Sequence, residues 1–232
     1  MNMNKNTNPK HIAIILDGNR RYAIKSGLKP WEGHKSGFKK IEDILDWSKE
    51  LDIKELTLYC FSTENFNRDK MEVKYLFDLF RNRINDLMND ARIHENKVRI
   101  RIIGRIDLFP KDMQEKMQEI MEKTSGYDKF KLNLCMAYGG RQEIVDAVRK
   151  IVASNIKPES IDEELLSKNM YLESCPDLLI RPGGEKRLSN FLTWESIYSE
   201  LFFLDKLWPE MTNADLADII KEFKKRERRF GS

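Results

Sequence analysis

The chain has no apolar run longer than a strand, and this removes the first large class of proteins. A membrane-spanning helix needs about 20 consecutive apolar residues. Cysteine is scarce: Cys60, Cys135 and Cys175 are the only three. They show no paired metal-ligand spacing, so neither a zinc site nor a disulfide framework is indicated. Cys60 and Cys135 lie in strand-like runs and are expected to be buried free thiols of a reducing, cytoplasmic compartment. There is no G-x-x-x-x-G-K-[ST], so the chain is not a P-loop NTPase. There is no G-x-G-x-x-G after the first strand and no serine-elbow motif. No Gly/Ser-rich linker or internal repeat divides the chain. The net charge of +3 lies too near balance for field-driven binding of nucleic acid. The first ten residues are polar and Asn-rich with no apolar segment. They are expected to be a disordered lead (1–10) to one domain (11–232), not a secretory signal.

What is present is a soluble, well-charged composition: 34% charged and 41% hydrophobic over 232 residues. Apolar runs at 12–16, 56–61, 98–103, 130–137 and 178–180 predict strands. Between them, 33–51, 73–93, 112–123 and 141–153 carry apolar residues at the three-and-four spacing of core-facing helices. A last helix is expected over 214–229, ending in the cluster Lys224-Lys225-Arg226-Glu227-Arg228-Arg229. Strands alternating with helices predict an α/β domain whose mostly parallel central sheet is flanked by helices.

Three polar loops follow strands directly. Ligands of open α/β sheets bind beyond the carboxyl ends of strands, so the three belong on one rim. In the first, Asp17-Gly-Asn-Arg-Arg-Tyr22, a carboxylate, free backbone N–H groups and two guanidinium groups arrive together. That is chemistry for an anion with a divalent metal. The second, Phe61-Ser-Thr-Glu-Asn-Phe-Asn-Arg68, reads either as a helix cap by Ser62 or Thr63 or as a polar substrate loop with an arginine for phosphate. The third, Arg181-Pro-Gly-Gly-Glu-Lys-Arg-Leu-Ser189, has two glycines that permit a turn or close approach to a ligand. Glu200 lies in a largely apolar, aromatic stretch, so it is partly exposed, paired with an arginine, or related to a metal. His34 at a helix start reads as a structural residue by itself. His11 and His94 show no polar company and read as structural. Tyr138-Gly-Gly-Arg-Gln-Glu143 reads as a turn and helix start.

In this order, these loops resemble the cis-prenyltransferases, the undecaprenyl diphosphate synthases and their relatives. Gly33-His34, Tyr198-Ser-Glu-Leu201, Trp208-Pro209 and Arg226-Glu-Arg-Arg-Phe-Gly231 extend the resemblance from near residue 10 to the C-terminus. It implies Mg²⁺-dependent condensation of isopentenyl diphosphate with an allylic diphosphate of farnesyl or geranylgeranyl type, forming Z double bonds of a polyprenyl lipid-carrier precursor. By position, Asp17 would be the catalytic metal carboxylate and Glu200 a second one. Gly18, Asn19, Arg20, Arg21, Tyr22 and His34 would cradle the allylic diphosphate. Ser62, Thr63, Glu64, Phe66 and Arg68 would form the loop touching substrate, with Asn65 as proton acceptor. Arg181, Arg187, Leu188 and Ser189 would bind isopentenyl diphosphate. A hydrophobic product tunnel is implied beside the 73–93 helix, where core packing is the plainer account of the same residues. The small Cys60 would leave room for a growing chain. A homodimer is implied, with the tail reaching the partner's site, as is peripheral membrane contact through the lipid product. Arg20 stands where bacterial members commonly have glycine and matches archaeal and eukaryotic ones. Lys29-Pro30-Trp31, Pro182 and Lys186 depart from the bacterial pattern. Other readings are a short-chain or atypical-acceptor member, a non-catalytic partner subunit, and a module binding anions through 224–229.

Overall fold

The computed structural model describes residues 8–226. Five apolar runs become strands: β1 (His11–Ile15), β2 (Glu55–Ser62), β3 (Val98–Ile103), β4 (Phe130–Tyr138) and β5 (Leu178–Pro182). A sixth, β6 (Glu200–Leu204), lies in the aromatic stretch where no strand is expected from the sequence. Each pairs with its neighbours in parallel, in the order β3-β4-β2-β1-β5-β6. Parallel neighbours need crossover connections. These are α1 (Asn19–Lys25) and α2 (Gly33–Glu50), α3 (Lys70–Asn89) and α4 (Ala91–Glu95), α5 (Lys111–Lys123), and α6 (Gly140–Ala153) with α7 (Glu163–Asn169). α8 (Asn213–Lys225) follows β6.

The expected 73–93 helix is two helices, and aspartates explain both boundaries. Asp69 starts α3 early: its carboxylate accepts from the N–H of Met71 at 2.8 Å. Asp90 is extended and ends α3, while accepting from the Arg92 N–H at 2.9 Å to start α4. The expected 214–229 helix ends at Lys225. Residues 1–7 of the expected lead and the tail from 227 onward lie outside the described residues. Asn8 and Lys10 are already tied down: Asn8 Nδ2 donates to Leu51 O at 2.7 Å, and the Lys10 N–H donates to Asp177 at 2.8 Å.

Two sequence expectations need correction. His11 and His94 both have polar company. His11 Nε2 lies 2.7 Å from Thr57 Oγ1. His94 Nδ1 lies 2.9 Å from the Tyr127 hydroxyl, and its Nε2 lies 3.0 Å from Met88 O. The polar partners on Thr57 and Tyr127 sit far away in the sequence, so no local pattern announces them. Cys60 is only half-buried, whereas Cys135 is buried; all three cysteines are free.

The sheet's two faces differ. One packs against α2, α3, α5 and α8, with Ile41, Ile44, Phe80, Met117 and Ile219 among its buried side chains. The other is smaller and more aromatic, with Tyr59, Tyr138, Phe191 and Leu192 around Ala13 and Cys135.

Candidate active site

β2, β1 and β5 are adjacent, so the loops that follow them meet on one rim, as expected. Asp17 leaves β1 just before Gly18, whose φ of 102° is left-handed. A side chain there would also strike Leu207, 2.9 Å from a notional Cβ. Trp208, fully buried, braces this turn. Its N–H donates to Asp17 O at 2.9 Å, and its indole donates to Gly37 O at 2.8 Å.

The Asp17 carboxylate points between two guanidinium groups. Arg181 Nη2 donates to Oδ2 at 2.9 Å, and Arg21 Nη2 donates to Oδ1 at 3.2 Å. Arg181 is 5% exposed, and its Nη1 also donates to Ser189 Oγ at 2.8 Å and to Arg187 O. Arg21 Nη1 donates to Gly183 O at 2.6 Å. Gly183 has φ 103°, and a Cβ would lie 2.7 Å from Arg21 and 3.2 Å from the Asp17 carboxyl carbon. The third loop therefore approaches this cluster as only glycine permits.

The second loop combines both readings offered for it. The Ser62 N–H donates to Asn65 Oδ1 at 3.1 Å, so the loop is locally capped. Ser62, Glu64, Asn65 and Arg68 nonetheless face a cavity on this rim. Thr63 Oγ1 donates to Glu64 at 3.2 Å, and Asn190 Nδ2 bridges to Glu64 at 3.2 Å. Phe66 turns away into an aromatic cluster, 5.0 Å from Phe61.

A residue the motifs do not single out organises the opposite wall. Glu72, 2% exposed on α3, accepts from Arg68 Nη1 at 2.9 Å. His34 Nε2 lies 3.6 Å and Arg20 Nε 3.7 Å from the same carboxylate. The close approach of His34 and the arginine charges hold Glu72 below the usual carboxylate range. Burial lowers His34. The i,i+4 spacing of Arg68 and Glu72 is the sequence signal for this cluster, once α3 is known to begin at Lys70.

One cavity of about 720 Å³ gathers Asp17, Asn19, Arg21, His34, Ser62, Glu64, Asn65, Arg68, Arg181, Arg187 and Ser189. Gly18, Arg20, Tyr22, Thr63, Phe66 and Leu188 are not among its lining residues. Asn19 is largely structural: its Nδ2 donates to Leu16 O at 2.9 Å, and its side chain fills the space above Gly37. Arg187 is exposed and paired with Glu185 at 2.5 Å. Glu200 is not brought to the others within this chain. It opens β6 level with Leu178 and pairs with Arg226 at 2.8 Å. That leaves it roughly 15 Å short of the rim along the strand direction, at about 3.3 Å per residue.

A second, apolar cavity of about 370 Å³ lies between α2, α3 and the sheet. It shares Phe38, Ile41 and Cys60 with the first. Protein interiors are close-packed, so a void of this size is not ordinary core. Burial pushes the Cys60 thiol up to about 12, so it lines this wall as a neutral group.

The arrangement suits a polyanion with an apolar tail. Among the described residues no group of three or more His, Cys, Asp or Glu could cage a metal. Asp17 alone offers a carboxylate between the arginines. That fits Mg²⁺, which commonly takes one or two carboxylates and completes its shell with phosphate oxygens and water.

The family model described as "Putative undecaprenyl diphosphate synthase" matches residues 15–231. A Pyrococcus abyssi protein named tritrans,polycis-undecaprenyl-diphosphate synthase (geranylgeranyl-diphosphate specific) is 51% identical over 229 residues, 96% of this chain and 87% of the relative. A Methanocaldococcus jannaschii protein of the same name is 45% identical, over 99% of this chain and 85% of its own. Among solved structures, lavandulyl diphosphate synthase from Lavandula x intermedia, in complex with dimethylallyl diphosphate, matches with a TM-score of 0.88 at 34% identity, covering 97% of this chain and 99% of that one. A Campylobacter jejuni protein titled a "probable undecaprenyl diphosphate synthase" matches at 0.83 and 34%, covering 99% and 100%. With three arginine-bearing loops meeting on one parallel rim and these similarities along nearly its whole length, the chain belongs to the cis-prenyltransferase family of the undecaprenyl diphosphate synthases.

Proposed function

We propose that this enzyme condenses isopentenyl diphosphate with an allylic diphosphate, geranylgeranyl diphosphate by preference, and repeats the step to give a Z-polyprenyl diphosphate. The observation that carries the reading is the Asp17 carboxylate held between Arg21 and Arg181, in a cavity sharing three wall residues with an apolar one. The primer preference follows the names of the archaeal relatives.

In the reaction, the allylic C–O bond breaks and diphosphate leaves. The isopentenyl π-bond attacks the allylic carbon, and a proton is lost to form the new Z double bond. Asp17 would hold Mg²⁺, which supplies Lewis-acid pull on the leaving diphosphate. Arg21 and, across the cavity, Arg68 neutralise charge that grows as the bond breaks. Arg181, Arg187 and Ser189 bind the acceptor diphosphate. Asn65, fixed by the Ser62 N–H, faces the same space and is the group to which the proton passes. The apolar cavity takes the growing chain and keeps water from the allylic cation.

A homodimer is part of this reading. Val145, Val148 and Val152 project from α6 into solvent, and Ile197 is also exposed. Such a patch is a candidate subunit interface. Among the described residues no helix is long and apolar enough to cross a membrane. Membrane contact, in this reading, comes through the lipid product.

The test is incorporation of radiolabelled isopentenyl diphosphate with dimethylallyl, farnesyl and geranylgeranyl diphosphates, with and without Mg²⁺. Products are separated by chain length. The expected result is Mg²⁺-dependent elongation with the highest kcat/KM for geranylgeranyl diphosphate. No incorporation with any primer would overturn the assignment in favour of a non-catalytic subunit.

A further inference from the structure

Besides the α6 patch offered above as a subunit interface, a second group of large apolar side chains stands in solvent. Ile24 is 62%, Leu28 47% and Met71 67% exposed. α1 explains where the first two stand. Its first turn carries Arg21 at the Asp17 cluster, and its seven residues run outward for about 10 Å, at 1.5 Å per residue. It ends in the segment 24–29, in which every residue is exposed. The chain turns back there at Gly27, whose φ is 72°. Met71 belongs to the same surface. Arg20 Nε lies 3.7 Å from Glu72, which ties α1 to the first turn of α3, and Met71 is the residue before Glu72. The 30–32 turn packs against both helices.

The charge around these side chains has one sign. Residues 19–40 hold seven lysines and arginines against a single carboxylate, Glu32, although the whole chain is only +3. Lys29 Nζ sits 5.7 Å over the ring of half-buried Trp31, a side chain suited to the boundary between wet and apolar surroundings. Lys70 and Lys74 lie one turn apart on α3. Among the described residues no hydrogen bond or ion pair engages either of them. They edge a groove of about 350 Å³ floored by Phe66, Val73 and Phe77. Its one carboxylate, Asp78, accepts from Arg81 at 2.8 Å. Arg68 lines both this groove and the catalytic cavity, so the surface adjoins the place where product is made.

Protruding apolar side chains among free lysines match an anionic bilayer. Apolar groups enter the boundary between headgroups and acyl chains, and lysines meet the negative surface. Protein interfaces are depleted of lysine, which counts against a second protein on this face.

We propose that residues 24–31 and the first two turns of α3 dock this enzyme on an anionic lipid leaflet, with Ile24, Leu28 and Met71 entering the acyl boundary and Lys29, Lys70 and Lys74 on headgroup phosphates. Its purpose rests on the prenyl-transfer reading above: a catalytic cavity opening beside the leaflet hands over an apolar product without a passage through water.

The experiment is vesicle flotation without substrate. The vesicles are phosphatidylcholine alone, or phosphatidylcholine partly replaced by phosphatidylglycerol. The wild type is expected to bind the anionic vesicles more tightly, and less so as salt is raised. A lysine near an anionic leaflet contributes about fivefold to binding, so the double variant Lys70→Glu/Lys74→Glu should lower the partition coefficient at least about 25-fold. Ile24→Ser/Leu28→Ser should also weaken it. Thermal melts establish that both variants are folded; an acid at position 70 stands in the first turn of α3, where the helix dipole favours it. Equal binding of the wild type to both kinds of vesicle, or binding that neither variant changes, overturns the proposal. A smaller particle for the variants in sedimentation without vesicles would assign the face to a contact between copies of this chain, and overturns it as well. Flotation needs no turnover, so a failure to incorporate isopentenyl diphosphate with any primer would remove the prenyl-transfer reading and leave the docking result standing.

Discussion

The helical face of the sheet and its aromatic face are packed to different ends. The helical face carries many more buried side chains, yet it leaves an apolar void beside Phe38, Ile41 and Cys60. The aromatic face is small and closed, with Tyr59, Tyr138 and Phe191 in mutual contact and a strained segment, 189–192, pressed over them. One face keeps room for something that grows. The other gives up freedom so that polar groups on the rim hold still. Asp17 and Arg181 sit where the two meet.

The sharpest way to break this comparison is at the junction. Asp17→Ala removes the carboxylate shared by Arg21 and Arg181 and should lower kcat by about 10²–10³-fold. Steady-state incorporation of isopentenyl diphosphate measures it. An unchanged kcat would remove Asp17 from the chemistry. Next comes a stability contrast between the faces. Phe191→Ala empties a close-packed stack and should cost about 3–5 kcal/mol. Leu87→Ala trims a wall of the existing void and should fall at or below the bottom of the usual range of about 2–5 kcal/mol. Urea denaturation reads both; equal losses would mean that the faces are packed alike. The smallest stability effect belongs to Cys60→Phe. Extra bulk in a tight core costs about 1–3 kcal/mol, but here it enters open space. Stability should change by less than about 1 kcal/mol while the product distribution shifts to shorter chains, as chromatography would show.

The comparison also marks how far the sequence could be read. Five strands are legible because each is a continuous buried run, as parallel strands between helices require. β6 is not, because the stretch before it folds irregularly and Glu200–Leu204 is mostly half-buried at the sheet's edge. The three rim loops are legible because each follows a readable strand. Glu72 is not singled out, because its role depends on Asp69 starting α3 early and on Arg20 and His34 arriving from other elements.

The Asp17–Arg181 contact joins positions 164 residues apart, which has a consequence for how the protein comes into being. No early portion of the nascent chain can hold the site, since β5 must dock beside β1 before Asp17 has both of its arginines. Contacts this distant in sequence slow folding. Recovery of activity after dilution from denaturant should therefore lag behind recovery of helical signal, with turnover reporting the last large docking step of the domain.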